Sequence, residues 1–152
     1  MIVRSRGFTL VEILVVVTLV VLLALIGTIN VLRARTTGNE GVALANLRQL
    51  AVALMSYHSI NNQYPDALGL LSDATPPYLS ASVTGGSGAN GNPNLNGYAF
   101  TYTRTDAFHY TLVARPTTQD ATGVRRFFVD ETGMLRYTAD GTDPTANSPL
   151  VQ

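Results

Sequence analysis

Cysteine, tryptophan and lysine are absent from this chain of 152 residues, and histidine occurs only twice, as His58 and His109. Without cysteine there is no disulfide, no thiolate metal site and no cysteine nucleophile. The two histidines fall in different segments, and nothing sets either beside a serine and a carboxylate, so no catalytic constellation emerges and the chain does not read as an enzyme. The ten basic residues are all arginine and balance ten acids, for a formal net charge of zero. A neutral balance gives no broad electrostatic case for nucleic acid or for an acidic surface as partner.

One long apolar run stands out against this even background. Phe8 to Ile29 is 22 residues, or about 33 Å as a helix, enough to cross a hydrocarbon core of about 30 Å. A single carboxylate, Glu12, interrupts it. An ionised side chain in a spanning helix costs up to roughly 3 kcal/mol at the bilayer centre and less near an end, so an intramembrane carboxylate is a functional-site hypothesis that needs a named partner. No lysine, arginine or histidine lies between Phe8 and Asn30. A cut between Gly7 and Phe8 would supply the counter-ion, because a new amino terminus would then stand four residues before Glu12, positively charged below a pKa of about 8. In a parallel bundle with a one-step stagger, that amine would lie beside a neighbour's Glu12 and select the register.

The stretch Gly7-Phe8-Thr9-Leu10-Val11-Glu12-Ile13-Leu14-Val15-Val16-Val17, behind a short leader bearing Arg4 and Arg6, resembles the start of the type IV pilins and the type II secretion pseudopilins. The resemblance covers the first 30 or so residues. It implies that a prepilin peptidase removes Met1 to Gly7, that Phe8 becomes the N-methylated first residue, and that Glu12 takes the family's acidic position in filament assembly. It also implies the partners: copies of the same chain in a helical filament, the peptidase, and an inner-membrane assembly platform. The precursor would be a single-pass inner-membrane protein, later part of an extracellular pilus or, for a pseudopilin, of a short periplasmic pseudopilus. Many type IV pilins close their C-terminal region with a disulfide and carry a proline early in the helix; this chain has no cysteine, and Gly27 to Val31 contain no proline.

Other readings of the run are open. A secretory signal has an apolar core of about 7 to 15 residues with a small-residue cleavage site behind it. The A-x-A sequence Ala43-Leu44-Ala45 lies well past the end of the run. A plain signal anchor would use Arg4 and Arg6 as cytoplasmic charges and carry a membrane-anchored periplasmic binding module, with the leader uncut and Glu12 unexplained.

Beyond the run, about 120 residues leave room for one domain with its own core. Residues 8–30 are expected to form the membrane-spanning, filament-core part of a helix, and residues 31–62 its amphipathic continuation. Leu44, Leu47, Ala51, Leu54 and His58 recur at steps of three and four and form one packing stripe. Gly27 with Thr28 and Asn30, and later Gly38, are where the helix should bend or melt, since glycine costs about 1 kcal/mol against alanine. It should stop at Asn61-Asn62, because Pro65 disfavours helical geometry at Tyr64. Residues 63–97 read as connecting loop. Residues 98–138 read as four antiparallel strands: Tyr98, Phe100 and Tyr102 alternate with smaller residues, as do Phe108, Tyr110, Leu112 and Ala114, and Arg126 to Val129 pairs with Met134 to Tyr137 across Asp130-Glu131-Thr132-Gly133. The expected fold is α+β and pilin-like: a long N-terminal helix, membrane-spanning in its first half, packed on a small four-stranded antiparallel sheet. Residues 139–152 read as a loosely ordered tail.

Two further motifs invite chemistry. Gly86-Ser87-Gly88-Ala89-Asn90-Gly91 has the dinucleotide-binding spacing, but Asn92-Pro93-Asn94 follows where a helix is needed, so a surface loop is the better reading. Asp140 and Asp143, with Asp130 or Glu131, offer oxygen ligands at a spacing compatible with calcium, and the resemblance to the major pseudopilins implies a calcium site near the C-terminus. A solvated turn is the simpler reading, and no other cofactor is expected.

Overall fold

A computed structural model describes residues 7–85 and 92–151, with the side chains of 26–30 outside the description. Leader residues 1–6 and the glycine-rich run 86–91 therefore lie outside the described residues. The chain divides into two units, Met1–Ala34 and Arg35–Gln152.

In the first unit, helix α1 (Leu10–Asn61) begins. Thr9 caps it: its carbonyl accepts from Ile13 N–H at 3.3 Å and its hydroxyl from Glu12 N–H at 3.2 Å. Thr9-x-x-Glu12 is thus the sequence of a capping box, and Glu12 sits in the first turn, where the helix dipole favours an acid. Every described side chain from Phe8 to Leu25 is exposed, Leu10 by 82% and Phe8 by 75%. The Thr18 hydroxyl donates to the Val15 carbonyl at 2.8 Å and is satisfied within the helix. Among the described residues no helix is both long and apolar enough to cross a membrane.

In the second unit, α1 lays Ala43, Leu47, Leu50, Ala53 and Leu54 into the core. The three-and-four spacing puts these residues on one side, and the helix ends as Asn62 turns left-handed at φ 54°, with its N–H on the His58 carbonyl at 2.8 Å. Against this face stands an antiparallel meander of five strands in sequence order: β1 (Asn94–Leu95), β2 (Tyr98–Arg104), β3 (Tyr110–Pro116), β4 (Arg126–Asp130) and β5 (Arg136–Thr138). Tyr98, Phe100, Tyr110, Leu112, Ala114, Phe127 and Val129 alternate into the core, as a period of two requires. Fully burying a large apolar side chain contributes about 1.5–3 kcal/mol.

The α+β class stands, but the sheet has five strands where four were expected. The extra strand is β1, which pairs Asn94 with Ala99 and Leu95 with Tyr98 across Asn96-Gly97. Both turn residues have positive φ, 50° and 77°, the geometry of a two-residue hairpin turn for which Asn-Gly is the strongest sequence signal. The region expected as loop also holds two single-turn helices, α2 (Leu70–Asp73) and α3 (Ala81–Thr84). Helix α2 buries Leu71 in the core, with Leu68 and Leu79 buried on either side of it, and α3 is capped at its start by Ser80, whose hydroxyl accepts from the Ser82 N–H at 3.3 Å. Phe108, expected within a strand, lies in the β2–β3 turn and is 59% exposed. The Asp106 carboxylate explains this: it accepts from the Phe108 and His109 N–H groups at 2.7 and 3.0 Å and closes the turn over residues 105–109.

Candidate assembly site and helix latch

The residues singled out at the N-terminus stand together at the start of α1. Gly7 is exposed, and a side chain built there would meet nothing within 4 Å. Phe8, Ile13, Leu14 and Val17 line an open apolar groove of about 530 Å³. Among the described residues no cation is paired with Glu12, in keeping with a run that holds no base.

Asp140 and Asp143 do other work in the structure. The Asp143 carboxylate takes two bonds from Arg115, Nε to Oδ1 and Nη2 to Oδ2, both at 2.7 Å, and a third from Arg126 Nη1 at 3.0 Å. The Arg115 bonds, against a smaller effect of burial, hold the Asp143 carboxyl below its ordinary range. Asp140 Oδ1 accepts from the Thr142 hydroxyl and N–H at 2.6 and 3.0 Å, which lowers its carboxyl likewise. No group of three or more His, Cys, Asp or Glu suited to hold a metal ion occurs among the described residues.

The expected loose tail is instead strapped down. Besides Asp143, Arg136 Nη1 donates to the Ser148 carbonyl at 2.7 Å, Tyr137 N–H to the Pro149 carbonyl at 3.0 Å, and Val151 N–H to the Leu135 carbonyl at 2.9 Å. The tail therefore covers the free edge of β5. Asp143→Asn should speed amide exchange at Tyr137 and Val151 while lowering global stability by no more than about 1 kcal/mol, since the pair is half-exposed. Unchanged exchange at both amides would show that the tail holds without the clamp.

His58 stacks on Tyr64 with ring centroids 4.6 Å apart and meets the edge of Phe108 at 6.0 Å. It is half-buried, and its Nε2 has no hydrogen-bond partner among the described residues. His109 pairs with Asp106 at 2.7 Å on the exposed turn, and the hydrogen bond to Asp106 raises its pKa above the usual 6.5.

One site was not anticipated from the sequence. Glu40, on α1, is only 7% exposed. Its Oε1 accepts from the Val124 and Arg125 N–H groups at 2.8 and 3.1 Å, and its Oε2 from Arg125 Nε at 2.7 Å. Next to it, Asn39 Nδ2 donates to the Thr122 carbonyl at 2.9 Å. Together these four bonds latch the helix to the loop between β3 and β4. The loop is braced from below by Tyr98, whose hydroxyl donates to the Arg125 carbonyl at 2.8 Å. Gly123 is required by the same contact, since a Cβ there would lie 2.0 Å from the Tyr98 hydroxyl oxygen. Burial alone would raise the Glu40 carboxyl, but the two backbone N–H groups and the Arg125 guanidinium outweigh it and hold the group below its ordinary 4.5. One signal was available: Glu40 has no charged residue three or four positions away on its own helix, where Thr36, Thr37, Ala43 and Leu44 stand, so any partner had to come from elsewhere.

The long helix α1 thus opens with an exposed apolar segment, with one carboxylate in its first turn and a glycine just ahead of it. Residues 2–28 match the family described as the prokaryotic N-terminal methylation motif. Over 63 residues the chain is 35% identical to the type IV major pilin protein PilA of Myxococcus xanthus (strain DK1622). That alignment covers 41% of this chain and 29% of the relative, so the chain matches under a third of the curated relative's length. No solved structure matches the chain. The chain carries the N-terminal methylation motif, and both matches support the type IV pilin family that its first residues resemble.

Proposed function

We propose that this chain is the precursor of a type IV pilus subunit. The observation that carries the reading is the methylation motif at residues 2–28, set on a helix whose apolar side chains from Phe8 to Leu25 have no cover within their own unit. In the sequence the run continues to Ile29, which gives the precursor the length for a single inner-membrane span. Prepilin peptidase cuts after Gly7, and the new amine at Phe8 is methylated. The apolar helices then leave lipid, through an inner-membrane assembly platform, and bundle as the core of a filament with the sheet-bearing units outside. Glu12 pairs with the Phe8 amine of an adjacent copy, an attraction that a low dielectric strengthens. Calcium at Asp140 and Asp143 forms no part of this reading, because Arg115 and Arg126 already occupy Asp143.

A type II secretion pseudopilin shares the processing and the helix, and the absence of a C-terminal disulfide is compatible with it. Mechanical shearing separates the two. As a pilus subunit the protein is recovered in the sheared surface fraction; retention of all of it in the cell envelope would favour the periplasmic pseudopilus.

A further inference from the structure

One hydroxyl sets the point at which α1 begins. In a helix each N–H bonds the carbonyl four residues back. A start one residue earlier would therefore put the Glu12 N–H on the Phe8 carbonyl, and a start two residues earlier the Val11 N–H on the Gly7 carbonyl. Neither bond forms. The Glu12 N–H goes to the Thr9 hydroxyl at 3.2 Å, and the first backbone bond of the helix is Ile13 N–H to the Thr9 carbonyl at 3.3 Å. Among the described residues the Gly7 and Phe8 carbonyls accept no backbone bond. Gly7, Phe8 and Thr9 stand ahead of the helix, and all three are exposed. The pull to lengthen the helix is strong here, because an N–H left without an acceptor at the rim of an apolar segment is heavily penalised. Without the Thr9 hydroxyl, the Glu12 N–H has the Phe8 carbonyl as its next acceptor, and the Val11 N–H then has the Gly7 carbonyl.

We infer that Thr9 is a positioning residue for the cut after Gly7: by taking the Glu12 N–H, its hydroxyl keeps the peptide bond between Gly7 and Phe8 out of the helix and within reach of the peptidase. In the cut, water attacks the Gly7 carbonyl carbon and the C–N bond to Phe8 breaks. A carboxylate is left on Gly7, and the departing nitrogen becomes the protonated Phe8 amine. A carbonyl already hydrogen-bonded inside a helix is closed to this attack, and its oxygen is not free for the donors that must stabilise the developing charge. The cap uses the backbone N–H of Glu12 and not its carboxylate, so the acid stays available to the amine that the cut creates. The inference rests on the processing reading above and adds to it the residue that presents the bond.

Full-length precursors carrying Thr9→Ser, Thr9→Val or Thr9→Ala, with the wild type beside them, are placed in lipid nanodiscs and cut by prepilin peptidase, and initial rates are read by mass spectrometry of the released leader. Serine keeps the hydroxyl, valine keeps the branched shape without it, and alanine is both a poor cap and a strong helix former. A substrate whose competent form is only partly populated binds more weakly in proportion. KM should therefore rise about five-fold for the valine and alanine variants, the factor that one cap amounts to, with kcat unchanged and the serine variant at the wild-type value. In the uncut alanine variant the Val11 N–H, which has no partner among the described residues, should exchange more slowly than in the wild type. The same KM for all four chains, a rise that the serine variant shares, or a loss confined to kcat would overturn the inference and leave the cut itself standing. No cut after Gly7 in any chain, the wild type included, would remove both.

Discussion

Glu12→Ala is expected to abolish filament yield while leaving the chain in the membrane. Removing the carboxylate takes away the proposed partner of a neighbour's Phe8 amine. An amine buried without its counter-charge in a low-dielectric core costs several kcal/mol, so assembly should fail rather than weaken. Insertion should not suffer, because deleting a charge from an apolar segment removes a cost of up to roughly 3 kcal/mol. The helix start should also survive, since the Thr9 hydroxyl receives the backbone N–H of residue 12, which alanine retains. The check compares the sheared fraction with the membrane fraction by immunoblot. Wild-type filament yield from the variant would show that Glu12 serves only the helix start.

The second large effect is expected at Glu40. Glu40→Ala leaves the Val124 and Arg125 N–H groups and the Arg125 guanidinium without their acceptor, and should destabilise the sheet-bearing unit by about 2–4 kcal/mol. Arg125 is 41% exposed and finds water when released, which keeps the value below that of a wholly buried pair. Hydrogen exchange of the full chain in detergent should show faster opening of residues 122–125 first. The pH dependence has a definite sign. The folded-state carboxyl lies below its ordinary 4.5, so the latch contributes stability above that pH and loses it as pH falls through the folded value. Glu40→Gln should flatten this acid limb; an unchanged limb in that variant would place the acid sensitivity at other carboxylates.

What was legible in the sequence follows from range. The helix stripe, the Asn61-Asn62 stop and the alternation of Tyr98, Phe100 and Tyr102 are local patterns, and local periodicity reports local structure. The hairpin at Asn96-Gly97 is local too, but its Gly- and Asn-rich surroundings give the whole stretch the composition of a loop. Phe108 alternates with Tyr110 as a strand residue would, but the Asp106 carboxylate, not the hydrophobic period, decides where that turn ends. The two largest omissions, Glu40 on Val124 and Arg125 and Asp143 on Arg115, join residues 84 to 85 and 28 positions apart, and no spacing rule reaches that far. At the N-terminus Glu12 draws notice because a lone carboxylate in an apolar run is conspicuous in the sequence. Glu12 also lies in the first turn of α1, where the helix dipole favours an acid, which is why assembly and helix start must be separated by experiment.

Every part of the proposed assembly depends on the cut that creates the Phe8 amine. The most direct measurement is the intact mass and N-terminal sequence of the protein purified from native membranes and from sheared surface fractions. A mature chain that lacks Met1 to Gly7 and begins with N-methylated Phe8 is the expected result. A chain that retains its first seven residues, in a host whose prepilin peptidase is active, would contradict it: the protein would then be a membrane-anchored domain, and Glu12 would have no amine to meet.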